Sequence, residues 1–412
     1  MTTTDASFPW RSVVGPVFLP TLLFSIGEGA ILPIIPIVAN NLGSGLAGAG
    51  LVAAMMIVGQ LIGDIPSGLI VARVGERASM IGAALLAGIG VLVCVLAATP
   101  FVLGVGVFVI GLATAVFGLA RHAFMTSYVP LRYRARALST LGGTFRLGYL
   151  IGPFLTAAVV GTTGDAGSAF WIQLAGCAAT ALVLLVLRDP ESALAARTPS
   201  GTLRAGELEV ASEARGLFPT IWEHRRTLAT VGSGAALVAA LRASRQVLLP
   251  LWAVSIGLNE TSTALIVGVA GVVDFALFYS GGWIMDRFGR QWVAVPSMVG
   301  LGIGHLVLAA THELSWRVAA FVAVAVFLSL ANGIGAGMLM TIGADLADPD
   351  DPAPFLGAWR FASDSGSALA PLVISGVTAL ASLPLAAVVL GVMGLGGAAI
   401  LRLTLPRHSP PR

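Results

Sequence analysis

Long apolar runs of this 412-residue sequence carry the acids Glu28, Asp64, Asp274 and Asp364 and the arginines Arg146, Arg242, Arg245 and Arg360. A charge at the centre of a bilayer costs about 2.5–3.5 kcal/mol on insertion scales, so each needs a partner or a task. Four acids against four bases make a neutral interior, so mutual neutralisation is one reading. The other is proton and substrate handling. Glu28 lies midway along its run between Gly27 and Gly29, with room to face a water-filled cavity and carry a proton; alternatively it is a permanent anion paired with Arg245. Asp274 and Asp64 are further proton-site candidates, although Asp64 is nearer the end of its run, where a structural pair suffices. Arg242 and Arg245, three apart, share a helical face with Gln246 beside them. They are placed either to bind an anionic substrate or to neutralise Glu28 and Asp274. Arg360 and Asp364, four apart, can bridge within one helix. Arg146 has no acid one turn away and must reach another segment or a cavity. Gln60 and Asn332 add neutral hydrogen bonding, whereas the isolated His122 and His305 read as packing histidines.

Much else is excluded. Hydrophobic residues make up 57% of the chain and charged ones 10%, against about 25% charged in soluble domains, so an integral membrane protein is expected. All the basic residues apart from histidine are arginine. Without lysine there is no phosphate-binding P-loop and no covalent lysine chemistry. Cys94 and Cys177 lie within apolar runs and offer neither a disulfide framework nor metal spacing. No hydrolase or intramembrane protease pattern is present. No cofactor, metal or nucleic acid is expected; the arginines are spread over connections as topology signals.

About 20 apolar residues cross a bilayer core. On that measure spans fall near 12–39, 46–72, 78–98, 100–124, 136–160 and 168–187, then 227–256, 262–285, 291–311, 316–343, 355–380 and 384–403. The first is too long for a signal-peptide core and is expected to remain as a span. Arginines 73, 77, 132, 134, 136, 188, 287, 290 and 402 fall on one set of connections; Asp165, Glu260 and Glu313 fall on the other, with Arg317 the one basic residue there. Both termini are therefore expected in the cytoplasm. Trp10, Trp283, Trp292 and Trp359 near inner ends, with Trp171, Trp252 and Trp316 near outer ends, suggest aromatic belts. Residues 188–226 read as a flexible linker ending in an interfacial segment at Leu217–Arg226.

The two halves repeat. Glu28 and Pro33 correspond to Arg245 and Pro250 (245 − 28 = 217), and Gly152-Pro153 to Ala370-Pro371 (370 − 152 = 218). Gly282-Trp-Ile-Met-Asp286-Arg287-Phe-Gly289-Arg290 corresponds to Gly68-Leu-Ile-Val-Ala72-Arg73-Val-Gly75-Glu76-Arg77 (282 − 68 = 214), where alanine replaces the acid. Gly282 is expected to admit a neighbouring helix, and Gly75 and Gly289 to make tight reversals.

The second of these loops resembles the G-x-x-x-D-R-x-G-R signature of the major facilitator superfamily of secondary transporters. Gly148 to Pro153 is similar to half of its antiporter pattern, though Thr156 and Ala157 replace the trailing glycines. Gly366 and Pro371 repeat the small-residue-plus-proline theme, so close helix packing is an equal reading. The resemblance implies an all-α major facilitator fold, with twelve transmembrane helices in two six-helix bundles, 1–187 and 227–412. It further implies that spans 3, 6, 9 and 12 face lipid while the rest line a central cavity; all eight embedded charges lie on the latter. The expected activity is alternating-access transport in a bacterial plasma membrane by a monomer, most readily proton-coupled export of small amphipathic, multidrug-like compounds. Rivals are a transporter of anionic or polar metabolites using the arginines, a lipid or lysolipid flippase, and a non-transporting sensor.

Overall fold

The computed structural model describes residues 14–129, 131–187, 219–348 and 352–405. The first thirteen residues with Trp10, most of the linker with Arg188, and the side chains of Arg132 and Arg134 lie outside the described set. The described chain is helical, without strands. In order the helices are α1 (Leu19–Ile31, resuming at Ile35–Asn41), α2 (Gly45–Val74), α3 (Glu76–Val95), α4 (Pro100–Tyr128), α5 (Leu131–Thr163) and α6 (Ala169–Val186). After the linker come α7 (Ser233–Ser255), α8 (Glu260–Ala276 and Phe278–Phe288), α9 (Gln291–Ala310), α10 (Arg317–Ile334 and Met338–Leu346), α11 (Pro352–Leu380) and α12 (Leu383–Thr404).

Eleven of these segments are long and apolar enough to cross a membrane, against the twelve expected. The one that falls short is α11. It has 29 residues, but Arg360, Asp364 and the serines at 363, 365, 367 and 375 dilute its apolar character. Three spans are broken where the sequence suggests continuity. Pro33 has no N–H to donate and interrupts α1. α8 is nicked at Leu277, and α10 breaks through Gly335-Ala336-Gly337, where Gly337 takes a φ of 81°.

α1 packs between α5 and α6, and α4 against α2 and α3; in the second half α7 packs on α11 and α12, and α9 on α10 and α12. Lipid tails supply no hydrophobic drive between helices, so close approach over small residues must hold them. Gly152 illustrates this: a side chain there would run into the backbone of α1 at Ile26, Gly29 and Ala30. Gly148 faces Ser25 and Ile26 in the same way, and Gly366 faces the backbone of Ala236. Pro153 and Pro371 sit inside α5 and α11. Gly282, in contrast, meets nothing; the close approach expected there is made by Gly281 on the carbonyl of Ile334. The outward faces carry apolar side chains, including Leu85, Ile89, Leu182, Leu185 and Val392.

Two of the belt tryptophans prove to be core residues. Trp252 is 1% exposed, edge-on to His312, and Trp359 donates through Nε1 to the Leu339 carbonyl. Trp171, Trp283, Trp292 and Trp316 are exposed.

Candidate functional site

A cavity of about 700 Å³ lies between the halves. α1, α2, α4 and α5 form one wall, and α7, α8, α10 and α11 the other; no described residue of α3, α6, α9 or α12 lines it. The far end is shut. Ser375 on α11 donates to the Ala47 carbonyl on α2 at 2.7 Å, Gly50 abuts Leu251 and Ser375, and Phe154 fills the space above Gly268. Towards the face bearing the arginine loops, exposed lining residues Asp64, His122, Gly142 and Arg360 leave the cavity open. His122, expected in packing, is one of these; its Nδ1 lies 3.0 Å from the Gly118 carbonyl. His305 is fully buried between Ser244 and the Leu301 carbonyl.

On the second-half wall, Asn332 donates through Nδ2 to both oxygens of Asp274, at 2.9 and 2.8 Å. Arg245 stands 3.9 Å from the same carboxylate and donates to Ser329 at 2.9 Å. Arg245 is thus committed to Asp274, and the pair with Glu28 is not formed. Arg146 crosses from α5 to stack over Phe278, 4.4 Å from the ring centroid. Arg242 lies within electrostatic reach of Arg146, Asp274 and Arg245. Neither Arg146 nor Arg242 makes a hydrogen bond or ion pair among the described residues, and Gln246 lines the cavity beside them.

Glu28 does not line the cavity. Gly27 and Gly29 give it no room, because they serve helix packing: side chains there would strike Gln173 on α6 and Tyr149 on α5. The carboxyl is consequently 0% exposed. It accepts from Gln60 Nε2 at 3.4 Å, and the hydroxyls of Tyr149 and Thr114 face it. Its Oε2 has no hydrogen-bond partner. Gln60, Thr114 and Tyr149 themselves line the cavity, so Glu28 sits one side chain behind the wall. The cation facing it is Arg121 of α4, 9% exposed, with Nε and Nη1 unpartnered and its guanidinium 4.3 Å over the Phe145 ring. Sequence reasoning missed Arg121. The signal was present, since α4 runs on to Tyr128 and leaves Arg121 two turns inside its end.

Nearer the mouth, Asp64 from α2 faces Asp364 from α11, with Arg360 also acting on Asp364. The two acids thus act on one another across the halves, and Arg360 acts on Asp364 as part of the same charged group.

The loops differ. Gly75 and Gly289 turn with φ of 87° and 102°, backbone that glycine adopts cheaply. Arg290 donates to both oxygens of Asp345 at the end of α10 (2.7 and 3.4 Å) and to Asp286 (3.1 Å). These bonds, that to Asp345 first, push its pKa above the usual arginine value. A raised basic group stabilises the fold at every pH below its unfolded pKa, which here covers all working conditions. Arg287 lies over Trp283. In the first half, where Ala72 replaces the acid, Arg77 instead donates to the carbonyls of Leu184 and Leu187 at the end of α6, a favourable place for a cation. Arg73 is exposed and Gly68 buried. Replacing Asp345 by Asn should cost about 1–3 kcal/mol, measured as a fall in Tm in detergent; an unchanged Tm would mean that Arg290 is not a latch.

The sequence matches the Major Facilitator Superfamily over residues 17–278 and again over 231–412. The chain belongs to this superfamily. As a member it is a multi-pass membrane transporter rather than an enzyme. No curated protein matches it. Similar solved structures include a POT family transporter in complex with 5-aminolevulinic acid (TM-score 0.74, 14% identity, 96% of both chains covered). Others are the nucleoside transporter NupG (0.72, 13%, 95% of this chain and 100% of that one) and the xylose transporter XylE from E. coli, partially occluded and inward open (0.69, 16%, 96% and 99%). At these identities the likeness to this superfamily member is one of fold.

Proposed function

We propose that this transporter couples proton movement to the export of small amphipathic compounds by alternating access. Two six-helix bundles, 1–187 and 227–412, rock about the cavity, with α11 as a twelfth crossing and 188–226 as the tether. The arginine-loop face is cytoplasmic by the positive-inside rule, in a bacterial plasma membrane, and the protein acts as a monomer. The observation that carries the reading is Glu28: a fully buried carboxyl with one free oxygen, behind polar side chains that line the cavity. Protons can reach it while bulk water cannot. Apolar walls from Leu32, Met56, Ile57, Leu150, Leu249 and Phe275 suit an amphipathic cargo.

The test is purified protein in liposomes under an imposed proton gradient, with flux followed for matched cationic, neutral and anionic aromatic compounds. Flux opposite to the proton gradient supports export by exchange. Flux that ignores the gradient, or runs with it, overturns the coupling as stated.

A further inference from the structure

The surroundings of Asp274 hold more positive charge than they can use internally. Three guanidiniums, Arg146, Arg242 and Arg245, share the single carboxylate of Asp274. That carboxylate is already occupied on both oxygens by Asn332 and approached by Arg245. Arg242 and Arg146 line the cavity with no acid in contact. Glu28 does not relieve them, since it belongs to Arg121 on the opposite wall, and Asp64 and Asp364 act on one another at the mouth with Arg360. Two neighbouring cations with no acid in contact, set among the apolar walls of the cavity, favour the entry of a counter-charge.

We propose that Arg242 and Arg146 form an anion subsite, and that the cargo is an amphipathic organic anion of carboxylate type. The planar fork of an arginine fits a carboxylate through two parallel N–H donors. Arg242 supplies that fork. Arg146, held over the Phe278 ring, supplies the second charge, and Gln246 offers a neutral donor beside them. The apolar part of the cargo lies against Met56, Ile57 and Leu150 on the facing wall. Arg242 and Gln246 lie four apart on α7, so one helix presents the charge and its neutral neighbour together. This assignment rests on the cavity being the transport site, but not on Glu28 being the proton carrier.

Calorimetry on the full-length protein in detergent tests it with 1-naphthoate, 1-naphthol, 1-naphthylmethylamine and the zwitterion 1-naphthylalanine, which share a ring system. The naphthoate should bind best. Arg242→Gln should weaken it about ten- to a hundredfold, the range for a hydrogen bond to a charged group, while leaving naphthol binding unchanged. Arg242→Lys, which keeps the charge and loses the fork, should recover part of the affinity. Preferred binding of the zwitterion, with the same loss in Arg242→Gln, would still support the subsite and would bring the mouth acids into recognition. Naphthoate binding no tighter than naphthol, or unaltered in Arg242→Gln, overturns the proposal. Such a result would leave proton coupling untouched, because coupling is read separately from gradient-driven flux.

Discussion

Glu28→Gln yields a transporter that still exchanges cargo across the membrane but no longer concentrates it. A gradient of one pH unit is worth about 1.4 kcal/mol per proton, or about tenfold accumulation at one proton per cargo. Wild type should approach that ratio, and the variant should stay near equal concentrations. The substitution is close to isosteric: an amide oxygen can still accept from Gln60 and Tyr149, so the packing of α1 between α5 and α6 is kept. What it removes is the exchangeable proton. Exchange of preloaded cargo, which needs no net proton movement, is the control that separates lost coupling from lost folding. If Glu28→Gln accumulates cargo as wild type does, the carrier lies elsewhere, and Asp274→Asn and Asp64→Asn become the next variants.

Gly152→Val is expected to damage stability and function together. The three nearest atoms that the new Cβ would meet are all backbone of α1, at Ile26, Gly29 and Ala30, so the clash cannot be relieved by a side chain swinging aside. α1 must move off α5, and overpacking of this kind costs about 1–3 kcal/mol or more. The same displacement separates Glu28 from Tyr149, since Gly29 rests on the Tyr149 backbone. The fall in Tm should therefore be accompanied by reduced gradient-driven accumulation in the protein that remains folded. By comparison Gly282→Val, at a position where a Cβ meets nothing, should be nearly silent. A Gly152→Val protein with wild-type Tm and flux would show that the α1–α5 contact is looser than described.

The glycines explain why the antiporter-like pattern in α5 was ambiguous in the sequence. Gly148 and Gly152 have a packing role that α1 sets from outside their own helix, and a motif does not state which neighbour it serves. The flanking glycines of Glu28 misled for the same reason. Taken alone they suggest open space around a carboxylate; in the fold each is filled by a neighbouring helix, and the carboxylate is sealed.

Hydropathy and arginine placement are local quantities, set by each residue's transfer free energy, and they determined by themselves the helical class, nearly every span and most of the embedded charges. The reversals at Gly75 and Gly289 were legible because only the local backbone decides them. Partnership was not, because it depends on how each helix is rotated and what stands beside it. Only the tertiary structure decided that Arg121 faces Glu28, that Arg290 reaches Asp345 across two helices, and that Asn332 and Arg245 occupy Asp274 while Arg242 and Arg146 are left facing the cavity. Charges more than a turn apart in sequence meet only through packing, and in a membrane that packing is chosen by close-fitting small residues.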